Sequence, residues 1–284
     1  MENATAPDRD QLLAFELALD EGVCDAVHRE SWGRLFLTPS APLVWDSNWV
    51  GIEQVGLSVA QVVAIADDAL GGEGMVHRTI CALDEADGHR LGERLEAEAA
   101  GWPRWEVERT RYMLWRGGEV DPALASAASS RKSPHSGENR ERTGAREVGI
   151  AEIAGLRKAL IAESMPPAVD QLEATVDQLY ELDVRYGDVG GDRWFVAPAE
   201  DQPLSACRLL RLGPIAQVEE VATLLSGRER GYAKAAVLTA VATAQAEGAE
   251  TIFLTAEAAD WPQLFYARLG FETIGDLTVL RRTP

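Results

Sequence analysis

The sequence predicts an α/β protein, a mixed β-sheet flanked by helices, arranged as two domains in tandem. Three observations predict it. Runs with helical and strand-like periods alternate along most of the chain. Residues 117–145 are rich in Ser, Gly, Ala and charge and contain almost no large apolar residue. Such a segment cannot bury enough surface to offset its ordering entropy, so it reads as a flexible linker. TIFLTAE (251–257) is nearly all apolar, as suits a strand covered on both faces. The expected division is a domain at 1–116, the linker at 117–145 and a second domain at 146–284, each part of ordinary domain size.

Taken in order, DQLLAFELALDEGVCDAVH opens the chain with a helical period. RLFLT and PLVWDSNWVGIE read as strands with a turn between them. LSVAQVVAIADDAL is a helix, HRTICALD a strand, HRLGERLEAEAAGW a helix closing at Gly101, and WEVERTRYMLW alternates as a strand does. Six of the eight tryptophans lie in this half, where packing in a small core accounts for them. After the linker, EVGIAEIAGLRKALIAES and AVDQLEATVDQLYELDVRYG are amphipathic helices separated by Pro166 and Pro167. RWFVAP, SACRLLRL and QVEEVATLL follow as strands, and YAKAAVLTAVATAQAEG is a helix ending at Gly248. TIFLTAE is a strand, WPQLFYARLGF a short helix with proline in its first turn, and FETIGDLTVLRR a closing strand.

Hydrophobic residues make up 46 % of the 284 and charged ones 26 %, a globular balance. The formal net charge of −19 argues against nucleic acid and anionic membrane as partners and is compatible with a cationic substrate such as an amine. Cys24, Cys81 and Cys207 are odd in number and widely spaced, which suits neither a disulfide framework nor a metal site and points to small buried hydrophobes in a reducing compartment. The N-terminus lacks the pattern of a signal peptide, and no apolar stretch reaches the ~18 residues of a membrane helix. A cytoplasmic protein, monomer or homodimer, is expected.

The most informative stretch is SGRERGYAKA (226–235), between an apolar strand and an alanine-rich helix. The first-turn N–H groups of that helix have no partner inside it, and the helix dipole adds partial positive charge. Gly231 has no side chain and Ala233 almost none, so an anion can approach the backbone. Arg228 and Arg230 add cationic forks suited to phosphate oxygens. Together they read as a pyrophosphate site. The spacing is neither that of the nucleoside-triphosphatase loop nor that of the dinucleotide fingerprint.

EEVATLLSGRERGYA (219–233) resembles motif A of the GCN5-related N-acetyltransferase family, with Arg228, Gly231 and Ala233 in the Arg/Gln-x-x-Gly-x-Gly/Ala slots. FYARLGF (265–271) resembles the family's tyrosine-bearing helix and its Leu-Gly-Phe ending. The resemblance covers about residues 146–284. It implies acetyl-CoA as acyl donor, no metal, and a small-molecule or peptide amine as acceptor. The pyrophosphate would lie on the main-chain N–H groups of Glu229, Arg230, Gly231, Tyr232 and Ala233, with Arg228 beside it. The pantetheine arm would pair along Val221, Ala222 and Thr223, where the family's strand splays from its neighbour.

Acyl transfer to an amine needs a base for the amine, a donor for the oxyanion and an acid for the leaving thiolate. The resemblance makes Tyr266 the acid, and the N–H of Val221 or Thr223 a donor to the thioester carbonyl. Glu219, Glu220 and Glu257 are candidate bases. Adjacent strand residues point to opposite faces, so at most one of Glu219 and Glu220 is expected to face an acceptor. His28, His77, His89 and His135 all lie outside the C-terminal part. Two positions depart from the family pattern. Ala259 stands in the slot where members often carry a cofactor-holding Asn, with Asp260 beside it as a partial substitute or as cap of the following helix. Glu229 puts a negative side chain in a phosphate turn.

The later part of the N-terminal half repeats the order helix, strand, helix, strand without an Arg-x-x-Gly-x-Gly turn. It reads as a degenerate second copy, structural or walling the acceptor cleft. The alternative function is a non-catalytic acyl-CoA binder or sensor.

Overall fold

The computed structural model of the chain describes residues 7–120, 144–166, 171–199 and 202–284. Most of the expected linker, residues 121–143, lies outside them, as does Pro167. Contacts divide the chain into two compact units. The first is residues 1–113, 255–267 and 273–284; the second is residues 114–254 and 268–272.

In the first unit, α1 (Arg9–Val23) starts on a capping box. The Asp8 carboxylate accepts from Gln11 N–H at 2.9 Å, and the Gln11 side chain accepts from Asp8 N–H at 3.2 Å. The sequence extends this helix through His28, but it stops at Val23 and Ala26–Glu30 is a strand, β1. Cys24 turns extended, and β1 takes its hydrogen bonds from β2 (Gly33–Leu37), Ala26 opposite Leu37. The next predicted strand shrinks to β3 (Trp49–Ile52), because a 3-10 turn at Trp45–Ser47 precedes it. Buried Asn48 pins that turn, donating from Nδ2 to the Val44 carbonyl at 3.0 Å and accepting from Thr38 N–H at 2.7 Å.

The helix α2 (Val59–Gly72) leads to β4 (Arg78–Ala82), parallel to β3. The helix α3 (Glu85–Ala97) leads to β5 (Trp105–Trp115), which belongs to this unit through Met113. The helix α7 (Pro262–Leu269) lies here through Ala267. So does most of β11 (Phe271–Arg282), antiparallel to β4 with Thr278 opposite Ala82. The strand order is β1-β2-β3-β4-β11-β5. Val50, Val62, Ala66, Leu70, Ile80, Leu91 and Leu280 form its core.

In the second unit the predicted first helix is divided. Arg146–Val148 is a strand, β6, antiparallel to β7 (Trp194–Ala197). A 3-10 turn follows at Ile150–Ile153, and α4 occupies only Ala154–Ser164. Helix α5 is Leu172–Gly190, β8 is Ser205–Leu212, β9 is Ile215–Thr223, α6 is Tyr232–Ala246 and β10 is Thr251–Glu257, in this unit through Leu254. The strand order is β10-β9-β8-β7-β6. Helix α6 packs across β7, β8 and β9. Its inward residues are small, Ala235, Ala236 and Ala240, all fully buried, which lets the helix lie close to the sheet.

Candidate functional site

The site is built on β9. Its pairing with β8 is regular from Leu212 opposite Ile215 to Arg208 opposite Glu219, then jumps to Ala206 opposite Ala222. Glu220 and Val221 therefore oppose Cys207 alone, a β-bulge, and Glu220 takes a left-handed φ of +54°. On the other edge β10 runs parallel to β9 only from Thr251 opposite Ile215 to Phe253 opposite Gln217. Beyond that point no ladder partner covers the edge from Val218 to Thr223 among the described residues. The predicted splay is present in the backbone.

The turn after β9 is drawn in tightly. Leu224 N–H donates to the Leu204 carbonyl at 2.8 Å, and a 3-10 turn at Leu225–Gly227 follows. A Cβ on Gly227 would sit 2.8 Å from the Leu204 Cβ, so only glycine fits. Arg228 folds back, its Nε donating to the Thr223 carbonyl at 3.4 Å. Glu229 has φ +63° and is exposed, as is Arg230. Gly231, at φ +83°, is the N-cap of α6, and no side chain caps the helix. Tyr232 contributes only its N–H at the helix opening. Its side chain is buried against Ala145, Ala197 and Ala235.

The first unit has a strand followed by a helix, β3 and α2, and treats the junction differently. Ser58 Oγ accepts from Gln61 N–H at 3.3 Å, and Gln61 Oε1 accepts from Ser58 N–H at 2.9 Å. That capping box occupies donors which α6 leaves open. The pairing of β3 with β4 also continues to its end, with Leu83 N–H bonded to the Ile52 carbonyl at 2.9 Å.

Beside the bulge, five charged side chains form a chain across α4, α5, β8 and β9. Arg208 Nε donates to Glu219 Oε1 at 2.9 Å, and Arg208 Nη1 lies 3.1 Å from Asp183 Oδ1. Arg157 Nε donates to Asp183 Oδ2 at 2.6 Å, and Arg157 Nη2 to Glu220 Oε2 at 2.5 Å. Both guanidiniums stack against Trp194, at 5.2 Å for Arg157 and 5.4 Å for Arg208, and Arg208 also lies 4.9 Å from the Tyr186 ring. The expected alternation of Glu219 and Glu220 to opposite faces does not hold. The bulge breaks the two-residue period, and both carboxylates join one ion-pair chain.

Burial pushes the Asp183 carboxyl up to about 6, and the Glu220 charge adds to it against the pull of Arg157 and Arg208. Burial also raises Glu219. Burial works upward on Glu220 too, but Arg157 and Arg208 outweigh it and hold the group below the usual carboxylate range.

Tyr266 and Asp260 belong to the first unit. Tyr266 is buried on α7 with its ring 5.3 Å from that of Phe265. Asp260 accepts from Trp261 N–H at 2.7 Å, just before α7 begins. Glu257 is exposed at the end of β10. Of the cysteines, Cys81 and Cys207 are buried and Cys24 only half-buried. Among the described residues no group of three or more His, Cys, Asp or Glu is placed to hold a metal ion, and no described helix is long and apolar enough to cross a membrane.

Sequence reasoning missed Arg157, Asp183 and Arg208. One signal was present. Arg157 lies at helical spacing from Ile153, Leu160 and Ile161, on the apolar face of its helix, and Arg208 sits within the otherwise apolar run of β8. A charge in such a place needs a buried partner.

Residues 159–271 match the model of the acetyltransferase (GNAT) family. No curated protein matches the chain. Among solved structures, a GCN5-related N-acetyltransferase from Kribbella flavida is 16 % identical with a TM-score of 0.59, covering 99 % of this chain and 97 % of that one. A functionally unknown conserved protein from Staphylococcus epidermidis ATCC 12228 is 12 % identical with a TM-score of 0.61, covering 90 % and 92 %. A GCN5-related N-acetyltransferase from Sphaerobacter thermophilus is 16 % identical with a TM-score of 0.50, covering 78 % and 67 %. At these identities the structural likeness is one of fold. Residues 159–271 thus match the acetyltransferase (GNAT) family model, and the chain shares the fold of solved GCN5-related N-acetyltransferases over nearly its whole length, the N-terminal half included.

Proposed function

We propose that the chain transfers the acetyl group of acetyl-CoA to an amine, a small molecule or an N-terminal amine, by direct attack. The family match over residues 159–271 supports acyl transfer in general; donor and acceptor are the finer part of the proposal. The observation that carries it is the opening of α6, with glycine at the N-cap and no side-chain cap, directly after a strand whose edge has parted from β10. That arrangement fits a diphosphate followed by an extended chain. The N–H groups of Glu229, Arg230, Gly231, Tyr232 and Ala233 would hold the diphosphate, with Arg228 beside them. Val221, Ala222 and Thr223 would hydrogen-bond the pantetheine arm through their main chain. Bound acetyl-CoA supplies the thioester carbonyl that the amine attacks.

The N–H of Val221 or Thr223 would steady charge on that carbonyl oxygen. A β9 carboxylate would take the amine proton, and Tyr266 would protonate the departing thiolate. The first unit would lack cofactor, which its Ser58–Gln61 capping box supports. The test is release of free CoA from acetyl-CoA with a panel of primary amines. Tyr266→Phe is expected to lower turnover about 10²-fold or more. Unchanged turnover removes the acid role of Tyr266, and no release with any amine removes the transferase reading. Ala259, in the slot where members of the resembled family often carry a cofactor-holding Asn, favours a second reading as a non-catalytic acyl-CoA binder. Thermal stabilisation by acetyl-CoA without thiol release would select it.

A further inference from the structure

The chain Glu219–Arg208–Asp183–Arg157–Glu220 holds three carboxylates against two guanidiniums, so with all five ionised one negative charge is unmatched. Arg157, Asp183 and Arg208 are 5 %, 5 % and 2 % exposed, whereas the Glu219 and Glu220 side chains are 23 % and 39 % exposed. We propose that this chain works as one proton-accepting unit for the amine, with Glu220 as the end where the proton enters and Arg157 as the residue that positions it. The inference rests on the acetyl-transfer reading above.

Three observations support it. Glu220 is the more exposed end and sits on the bulge next to Val221, where the acyl group is expected. One of its oxygens, Oε2, is anchored by Arg157 Nη2 at 2.5 Å, so the carboxylate is fixed in a backbone conformation that a non-glycine residue seldom adopts. An unmatched buried charge raises the proton affinity of the set as a whole, and the resulting titration belongs to the set and not to one member. The upward pressure on Asp183 and Glu219 agrees with this, while Glu220 stays ionised.

Among the described residues, the further side chains seen against the chain or beside it leave its charge count unchanged. Tyr186 comes from α5 and Trp194 from β7, each as an uncharged ring. Lys158, next to Arg157, pairs with Asp177 at 2.7 Å instead. In the step itself an ammonium N–H bond breaks, the proton bonds to a Glu220 oxygen, and the electron pair left on nitrogen forms a bond to the thioester carbon; the C–S bond then breaks, coenzyme A leaves as the thiolate and takes a proton from Tyr266, and Tyr266 regains one from the nitrogen of the adduct. The proton then leaves from the exposed end to water.

Charge counting gives opposite shifts for two neighbouring buried residues. Asp183→Asn leaves two carboxylates against two guanidiniums, so the acid limb of the kcat/KM profile moves to lower pH. Arg157→Gln leaves three against one, so the limb moves to higher pH. Each shift is expected to be about one unit or more, a tenfold change in proton affinity. Arg157→Lys keeps the count and leaves the limb in place while lowering kcat, because a point charge replaces the fork. Carboxyl NMR titration of the full chain, labelled at Glu and Asp, follows the same shifts without turnover. Where Arg157→Gln fails to fold, Asp183→Asn and Arg157→Lys carry the test.

Limbs and titrations that stay put, or move the same way in Asp183→Asn and Arg157→Gln, overturn the inference. If acetyl-CoA binds and the amine is acetylated in that case, the transferase reading stands alone. Failure of the wild-type chain to bind acetyl-CoA sinks that reading, and the proton role with it.

Discussion

Truncating Arg208 to alanine tests whether the buried ion-pair chain organises the β9 bulge. Arg208 is 2 % exposed, bonds Glu219 through Nε at 2.9 Å, and reaches both the Asp183 carboxylate, at 3.1 Å, and the Asp183 carbonyl, at 3.2 Å. Its guanidinium also lies against the Tyr186 and Trp194 rings. Removing it leaves Asp183 with one cation instead of two and takes from Glu219 the guanidinium that pairs it. Breaking a buried pair in this way costs about 3–5 kcal/mol, a large share of the ~5–15 kcal/mol that holds a typical protein together. With an m-value of about 1–3 kcal/mol/M, the urea midpoint should fall by roughly 1–5 M.

The assay is urea unfolding followed by tryptophan fluorescence, since Trp194 lies against both guanidiniums, and by far-ultraviolet circular dichroism. Arg208→Met keeps most of the volume and loses the charge. Combining it with Glu219→Gln removes the carboxylate left behind, and should recover about 1–3 kcal/mol relative to the sum of the single changes. A loss in Arg208→Ala of no more than about 0.5 kcal/mol, the size of an ordinary surface substitution, would refute the reasoning.

Three further outcomes follow from the same structure. Gly227→Ala places a Cβ 2.8 Å from the Leu204 Cβ, so it should destabilise by about 1–3 kcal/mol and weaken acetyl-CoA binding by shifting the turn; a midpoint equal to wild type contradicts this. His77 is fully buried with Nε2 2.8 Å from the Asn48 carbonyl, and burial lowers its proton affinity in the folded state. The stability it contributes is present above the unfolded histidine value of about 6.5 and is lost as pH falls below it. Melting of wild type between about pH 7.5 and 5 should therefore show a decline that His77→Gln lessens, and parallel curves for the two would contradict this. Replacing Ser58 by alanine in the α2 capping box should cost about 1 kcal/mol of stability without affecting acetyl-CoA binding, and a change in that binding would refute the division of roles between α2 and α6.

Much of the fold and the placement of the turn are legible in the residues themselves. The apolar run of β9, the glycine at 231 and the alanine-rich helix behind it are local signals, and the backbone follows them. What escaped is set by distant partners. The run VEEVAT carries no glycine or proline to announce a bulge. Its irregularity comes from the register against β8 and from Arg157, 63 residues earlier in sequence, gripping Glu220. For the same reason the helix expected over 147–164 gave up its first residues to β6, whose hydrogen bonds come from β7. The strand β1 emerged from the end of a helical pattern because β2 was there to pair with it. Helical period reports which face is apolar; it does not report which neighbour claims the backbone.

The most direct test of the central claim is calorimetric titration of acetyl-CoA into the wild-type chain and into Gly231→Asp, which sets a carboxylate at the N-cap of α6. Binding to wild type that weakens at least about tenfold in the variant, or about 1.4 kcal/mol, is the predicted result. No heat from the wild-type chain, or equal affinity in the two, would contradict it.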